Sequence, residues 1–294
     1  MSPRRNARAI MPRRAGHPGA GGRRPSARGK TRALGQHFLR DQIAAHRIVE
    51  LVHPTADDLV VEIGPGRGAL TTALAERAGR LVALEVDANL ATSLRERFAE
   101  RGHVDVFQAD ARHFAYAVLP ERRPAPSGRV LVVGNLPYSV AKPILTSLIE
   151  ARRCIDQMAL MFQKEVAERV AAAPGSKVYG MLSVLTQMAC DVELAFTVSP
   201  GAFAPPPKVD SAVVHLRVRE APPVPVDDPE RFRVVVQAAF AQRRKSLSNA
   251  LAAGLSLGAE RARALLTSSG IDPGRRAETL SLAEFARLAN ALSI

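Results

Sequence analysis

From residue 59 onward, short apolar runs alternate with stretches of helical period. Leu59-Val60-Val61-Glu62-Ile63 is an almost unbroken apolar run that stops at glycines, the pattern of a strand covered on both faces. Residues 81–84, 104–107 and 130–133 read the same way, with helical patterns over 69–78 and 88–100 between them and a breaker-rich loop over 120–128. A helix over 141–151 follows, then a buried strand over 158–162, helices over 164–172 and 181–189, and closing strands over 192–198 and 212–218. Strands that alternate with helices build βαβ units, so a doubly wound α/β domain with a mainly parallel sheet is predicted. Ala221-Pro222-Pro223-Val224-Pro225 marks a linker, and helical patterns follow over 232–240, 246–253, 259–268 and 282–292. No internal repeat is present. The expected division is an arm over 1–31, an α/β domain over 32–220 and a small all-α domain over 221–294.

Charge changes this picture mainly at the N-terminus. The chain of 294 residues carries a net charge of +13. Residues 1–40 hold eleven of the 41 basic residues and no acid, leaving 30 basic against 28 acidic residues elsewhere. The basic excess therefore belongs to the arm and says little about the folded surface. The arm is rich in Arg, Pro and Gly without apolar periodicity, so it cannot bury enough surface to fold alone and is expected to be disordered. It reads as a solvated extension or as a segment that touches nucleic-acid phosphates. An Arg-rich mitochondrial transit peptide shares its composition, but Pro and Gly oppose the amphipathic helix such a peptide needs. No apolar run is long enough for a membrane span. Cys154 and Cys190 lie far apart, and His46, His53, His103, His113 and His215 lack metal-ligand spacing, so neither a disulfide framework nor a metal site is expected. A reducing, cytoplasmic setting fits.

Candidate chemistry sits at strand ends. Glu62-Ile63-Gly64-Pro65-Gly66-Arg67-Gly68 joins a strand to a helix, and its glycines let the backbone turn sharply and approach a ligand closely. Dinucleotide enzymes share such a loop, but the spacing here is GxGxG rather than GxGxxG, and no Gly-Lys-Ser/Thr of a P-loop follows. Glu85 ends the next strand, where a carboxylate accepts from two ribose hydroxyls. Asp110 follows the third, where it accepts from an adenine amino group. Singly, these acids read as helix caps or solvated loop charges. Together with the glycine loop, the arrangement resembles the Rossmann-like class I S-adenosylmethionine (SAM) methyltransferases, with Glu62, Gly64, Gly66, Glu85 and Asp110 implied at the cofactor.

Gly134-Asn135-Leu136-Pro137-Tyr138 follows the fourth strand. The lone pair of an adenine N6 is delocalised into its ring, so the amine is a poor nucleophile. The Asn135 amide oxygen and the Leu136 carbonyl can accept its two N–H bonds, Pro137 stiffens the turn, and Tyr138 stacks on the base. Asn-Leu-Pro-Tyr resembles the motif of amino-methyltransferases that act on adenine N6 or cytosine N4; in isolation it is also an ordinary strand-ending turn.

Longer strings extend the likeness. Leu34-Gly35-Gln36-His37-Phe38-Leu39, Gln163-Lys164-Glu165-Val166-Ala167, Tyr179-Gly180-Met181-Leu182-Ser183-Val184, and Phe203-Ala204-Pro205-Pro206-Pro207-Lys208-Val209-Asp210-Ser211 resemble the small-subunit ribosomal RNA adenine dimethyltransferase family. So do Gln242-Arg243-Arg244-Lys245-Ser246-Leu247-Ser248-Asn249 and Gly270-Ile271-Asp272-Pro273. The resemblance runs from about residue 30 to the C-terminus. It implies N6,N6-dimethylation of two adjacent adenosines in a hairpin loop near the 3′ end of small-subunit (16S) rRNA, with the pre-30S particle as partner, a monomeric enzyme and no metal. It also implies that Gln36, His37, Leu39 and Asn135 line the cofactor pocket and that Phe203 is a second aromatic wall for the target base. Lys208 and the basic run Arg243, Arg244 and Lys245 become candidate RNA contacts, although such runs are more often solvated faces. The family often has Asn where this chain has His37 and Ser139, and the arm before Lys30 has no counterpart in it. Two other readings stay open: a large-subunit rRNA adenine methyltransferase of the antibiotic-resistance type, and a ribosome-assembly factor whose role is docking. A mitochondrial transcription relative is a remoter one. The Gly270–Pro273 string favours the small-subunit group.

Overall fold

A computed structural model describes residues 36–242 and 244–292. The basic arm over 1–31 and Arg243 lie outside the described residues. In chain order the elements are β1 (Phe38–Leu39), α1 (Gln42–Val52), β2 (Leu59–Ile63), α2 (Ala69–Leu74), β3 (Arg80–Glu85), α3 (Ala88–Arg97), β4 (Val104–Gln108), β5 (Val130–Asn135), α4 (Ala141–Glu150), β6 (Gln157–Gln163), α5 (Lys164–Val170), α6 (Met181–Ala189), β7 (Cys190–Val198), β8 (Phe203–Ala204), β9 (Ser211–Val218), α7 (Pro229–Ala241), α8 (Leu247–Gly254), α9 (Ala259–Ser268) and α10 (Leu282–Ala291).

The main sheet has seven strands in the order β4-β3-β2-β5-β6-β9-β7. β4, β3, β2, β5 and β6 are parallel, and β9 runs antiparallel to β6. This is the Rossmann-like arrangement expected from the alternation of strands and helices. Every residue of β2 is buried, as its continuous apolar run requires. The chain leaves β2 toward β3 and returns to β5 on the other side. Ligands gather outside the carboxyl ends of strands at such a switch point. At the opposite end of β2, Asp58 is 2 % exposed and accepts from the Arg129 guanidinium at 2.7 Å and the Arg129 backbone N–H at 2.7 Å, tying β2 to β5.

Two features escaped the periodicity. Helix α1 is capped by Asp41, whose side chain accepts from the Ala44 N–H at 3.1 Å, and it buries Ala45, Ile48, Val49 and Val52. Strands β1 and β8 pair antiparallel, Phe38 opposite Ala204 and Leu39 opposite Phe203. A two-residue strand has no period to detect, and its partner lies far along the chain.

Cα proximity divides the chain into two units. The described residues through Lys164 join Leu194–Arg217, and Glu165–Glu193 join the chain from Val218 onward. This differs from a single break near residue 220. Tyr179 and Val184 belong to the same apolar cluster as Phe232, Leu251 and Phe285. The Phe240 ring lies 6.3 Å from that of Tyr179, just ahead of α6, and 5.8 Å from that of Phe285; with Val184 in the same cluster, α6 packs with the C-terminal helices. Among the described residues, no helix is long and apolar enough to cross a membrane.

Candidate active site

The loop after β2 is shaped by its glycines. Gly64, Gly66 and Gly68 all adopt positive φ, at 67°, 56° and 81°. At Gly66 a second constraint applies, because a Cβ there would sit 2.7 Å from Phe38 Cδ1. The loop therefore needs glycine both for its turn and for the approach of the β1 segment.

Glu85, at the end of β3, is 2 % exposed. One carboxylate oxygen accepts the Gly66 N–H at 3.0 Å and the other the Asp87 N–H at 2.9 Å. Burial pushes its pKa up, and these backbone donors pull the other way. A carboxylate offers about four acceptor positions, so two backbone bonds leave capacity for a ligand's hydroxyls. Asp110, after β4, is clasped by Arg112. The guanidinium reaches one carboxylate oxygen at 3.0 Å and the other at 2.6 Å, and holds the carboxyl below its ordinary pKa.

Asn135 closes β5. Its Nδ2 donates to the His37 carbonyl at 2.9 Å, which orients the amide and leaves Oδ1 as its remaining acceptor. The Leu136 N–H donates to the Met161 carbonyl at 3.2 Å, fixing the next peptide. The half-buried Tyr138 has its hydroxyl 2.7 Å from Ser211 Oγ, and burial pushes the phenol up. The His37 ring lies 5.4 Å from the Tyr138 ring, tilted by 37°. His37 Nδ1 is 2.8 Å from the Pro205 carbonyl; since a carbonyl only accepts, Nδ1 carries the proton.

These groups surround one cleft, lined by Gln36, His37, Gly64, Gly66, Glu85, Asp110 and the whole Asn135–Tyr138 segment. Leu39 and Glu62 line a smaller cavity that shares Gly64, Gly66 and Asn135 with it. Glu62 is 1 % exposed. Burial pushes its pKa up to about 8; hydrogen bonding from Thr71 pulls the other way, and the negative charge of Glu85 adds to the rise.

The structure thus brings together the cofactor candidates Gln36, His37, Leu39, Glu62, Gly64, Gly66, Glu85 and Asp110 with the Asn135–Tyr138 segment. Phe203 is different. Expected as a second wall for the base, it is 2 % exposed and packs in the core of the first unit beside Leu39 and Val213. Pairing of β8 with β1 turns it inward, so in this structure the ring near Tyr138 is that of His37. Lys208 is exposed, as are Arg244 and Lys245 in the second unit, and among the described residues no group of three or more His, Cys, Asp or Glu could hold a metal ion. Sequence reasoning missed Arg112 and Phe38. Arg112 stands two residues after Asp110, the spacing at which its backbone N–H also reaches that carboxylate, at 2.9 Å.

Residues 28–293 match the family described as ribosomal RNA adenine dimethylase. A protein of Geobacter sulfurreducens named "Ribosomal RNA small subunit methyltransferase A" is 46 % identical over 262 residues, covering 89 % of this chain and 94 % of the relative. The protein of the same name from Xanthomonas oryzae pv. oryzae is 44 % identical over 88 % of this chain and 95 % of its own. The crystal structure of the 23S rRNA methyltransferase ErmE is similar with a TM-score of 0.63 and 29 % identity, covering 87 % of this chain and 99 % of that one. A dimethyladenosine transferase from Plasmodium falciparum, at 24 % identity and a TM-score of 0.68, shares the fold over 86 % of this chain and 96 % of its own. With a family match spanning nearly the whole length and relatives this similar, the chain belongs to the ribosomal RNA adenine dimethylase family.

Proposed function

We propose that the protein uses SAM to dimethylate the N6 amines of two adjacent adenosines near the 3′ end of small-subunit rRNA, acting as a cytoplasmic monomer on the pre-30S particle. The observation that carries this reading is that Asn135 and Tyr138 line the same cleft as Glu85 and Asp110. The residues present fit the cofactor. The glycine loop lines the same cleft, Glu85 keeps acceptor capacity, and the buried Gln36 Oε1 is an acceptor without a partner among the described residues that suits a cationic amino-acid end. When bound, SAM supplies a methyl group already activated by its sulfonium.

The protein's task is then positioning. Glu85 accepts from the ribose hydroxyls and Asp110 from the adenine amine of the cofactor. Asn135 Oδ1 and the Leu136 carbonyl accept the two N–H bonds of the target amine, turning its lone pair away from the ring and toward the methyl group. The bond from Asn135 Nδ2 to His37 keeps the amide from flipping. Tyr138 stacks on a base turned out of the RNA, a contact worth about 1–3 kcal/mol. Asn135 cannot accept a proton, so the amine's surplus proton leaves to water after transfer. For the second methylation one N–H is gone, and a single acceptor suffices. Lys208, Arg244 and Lys245, and Arg243 beside them, are the proposed phosphate contacts.

A second reading, methylation of large-subunit rRNA, draws support from the likeness to ErmE. The higher identity of the relatives named for the small subunit favours the first. Incubation of purified protein and labelled SAM with immature small subunits lacking the marks, and separately with large subunits, tests the choice. Label in the small-subunit rRNA supports the proposal, and label confined to the large subunit overturns it.

A further inference from the structure

Asp110 is held more firmly than a loop carboxylate needs to be. Arg112 grips it three ways: Nε reaches the two oxygens at 3.0 and 3.1 Å, Nη2 one of them at 2.6 Å, and the backbone N–H the other at 2.9 Å. The turn that carries both residues is itself pinned. The buried Tyr116 hydroxyl donates to the Ala111 carbonyl at 2.8 Å. Ser147 Oγ donates to the Arg112 carbonyl at 3.0 Å from α4, the helix that begins just after the Asn135–Tyr138 segment. Arg112 and Asp110 both line the large cleft.

The geometry limits what Asp110 can still do. A carboxylate has about four acceptor positions. The guanidinium fork occupies the two that face each other, and the backbone N–H takes a third, on the oxygen opposite Nη2. One acceptor position remains. His113 Nδ1, at 3.8 Å, is too far to fill it with a hydrogen bond. A 6-amino purine offers an N–H to such an acceptor, whereas a 6-oxo purine presents a carbonyl that a carboxylate repels.

We propose that Arg112 is a positioning residue for the nucleoside end of the cofactor, holding Asp110 so that a single acceptor selects a 6-amino over a 6-oxo purine. The inference rests on the SAM reading above. It assigns Arg112 no contact with the reacting atoms; its effect passes through Asp110.

Calorimetric titration with S-adenosylhomocysteine and its 6-oxo counterpart, S-inosylhomocysteine, tests it on the wild-type protein and on Arg112→Met and Arg112→Lys. Wild type is expected to prefer the amino nucleoside. Because the pair is partly exposed, Arg112→Met should weaken S-adenosylhomocysteine by roughly three- to fivefold and narrow the preference, with an unchanged melting midpoint. Arg112→Lys should recover part of the loss at low salt. Unchanged or tighter binding by Arg112→Met overturns the inference, as does an equal loss for both nucleosides, which would mark a packing role. If wild type binds neither nucleoside, the cofactor reading fails and this inference falls with it.

Discussion

A side-chain amide has two ends, and in Asn135 the donating end is taken up by the carbonyl of His37. That contact converts a residue type into a defined acceptor. The residue type was legible in the sequence, since Asn-Leu-Pro-Tyr after an apolar run suits the chemistry of a poorly nucleophilic amine. The partner was not, because His37 lies 98 residues away. The same holds for Phe203. Its aromatic character was plain, yet its burial depends on a two-residue strand pairing that leaves no period in the sequence. Glu62 gives the sharpest prediction at this scale. Its pKa rises from an ordinary 4.5 to about 8 in the folded chain, because burial disfavours the charge. The folded state therefore holds a proton that the unfolded state releases. Stability is full below about 4.5 and declines as pH rises through about 8. The loss reaches a few kcal/mol, since each tenfold change in proton affinity is worth about 1.4 kcal/mol. Thermal melts of the cofactor-free protein from about pH 5 to 9 should show this decline in wild type and a flatter profile in Glu62→Gln. Parallel profiles would contradict the account.

Among the elements, the parallel strands were legible because burial on both faces leaves continuous apolar runs, and glycines end them. β1, β8 and the contact of His37 with Pro205 across 168 positions were not, since short strands and hydrogen bonds at such range are set only by tertiary packing. The glycine loop links the two kinds of feature, because Gly66 must both turn and admit Phe38. Gly66→Ala places a methyl group 2.7 Å from the Phe38 ring at a φ that only glycine adopts freely. The loss should be about 1–3 kcal/mol in a denaturant titration, with S-adenosylhomocysteine binding impaired as well. Retention of both stability and binding would show that the loop has more slack than its geometry indicates.

For the whole molecule, net charge was the misleading clue, because the excess sits in residues 1–40 and the rest of the chain is close to balance. RNA contact by the rest of the chain then rests on local clusters rather than on pI. Arg244 and Lys245 are exposed in the helical unit, as such a cluster requires. Replacing both with Ala should weaken binding of small-subunit rRNA and reduce the slope of log K against log salt by about 1.4–1.8, while calorimetry finds cofactor affinity unchanged. An unaltered salt slope would remove them from the interface.

The central claim is methyl transfer to paired adenosines from a cleft built on Asn135. Mass mapping of rRNA from immature small subunits, after incubation with the protein and SAM, tests it most directly. The account predicts two adjacent adenosines near the 3′ end, each carrying two added methyl groups, with Asn135→Ala slowed by about 10²-fold or more. Methyl groups found at other positions, in the large-subunit rRNA, or at undiminished rate in Asn135→Ala would contradict it.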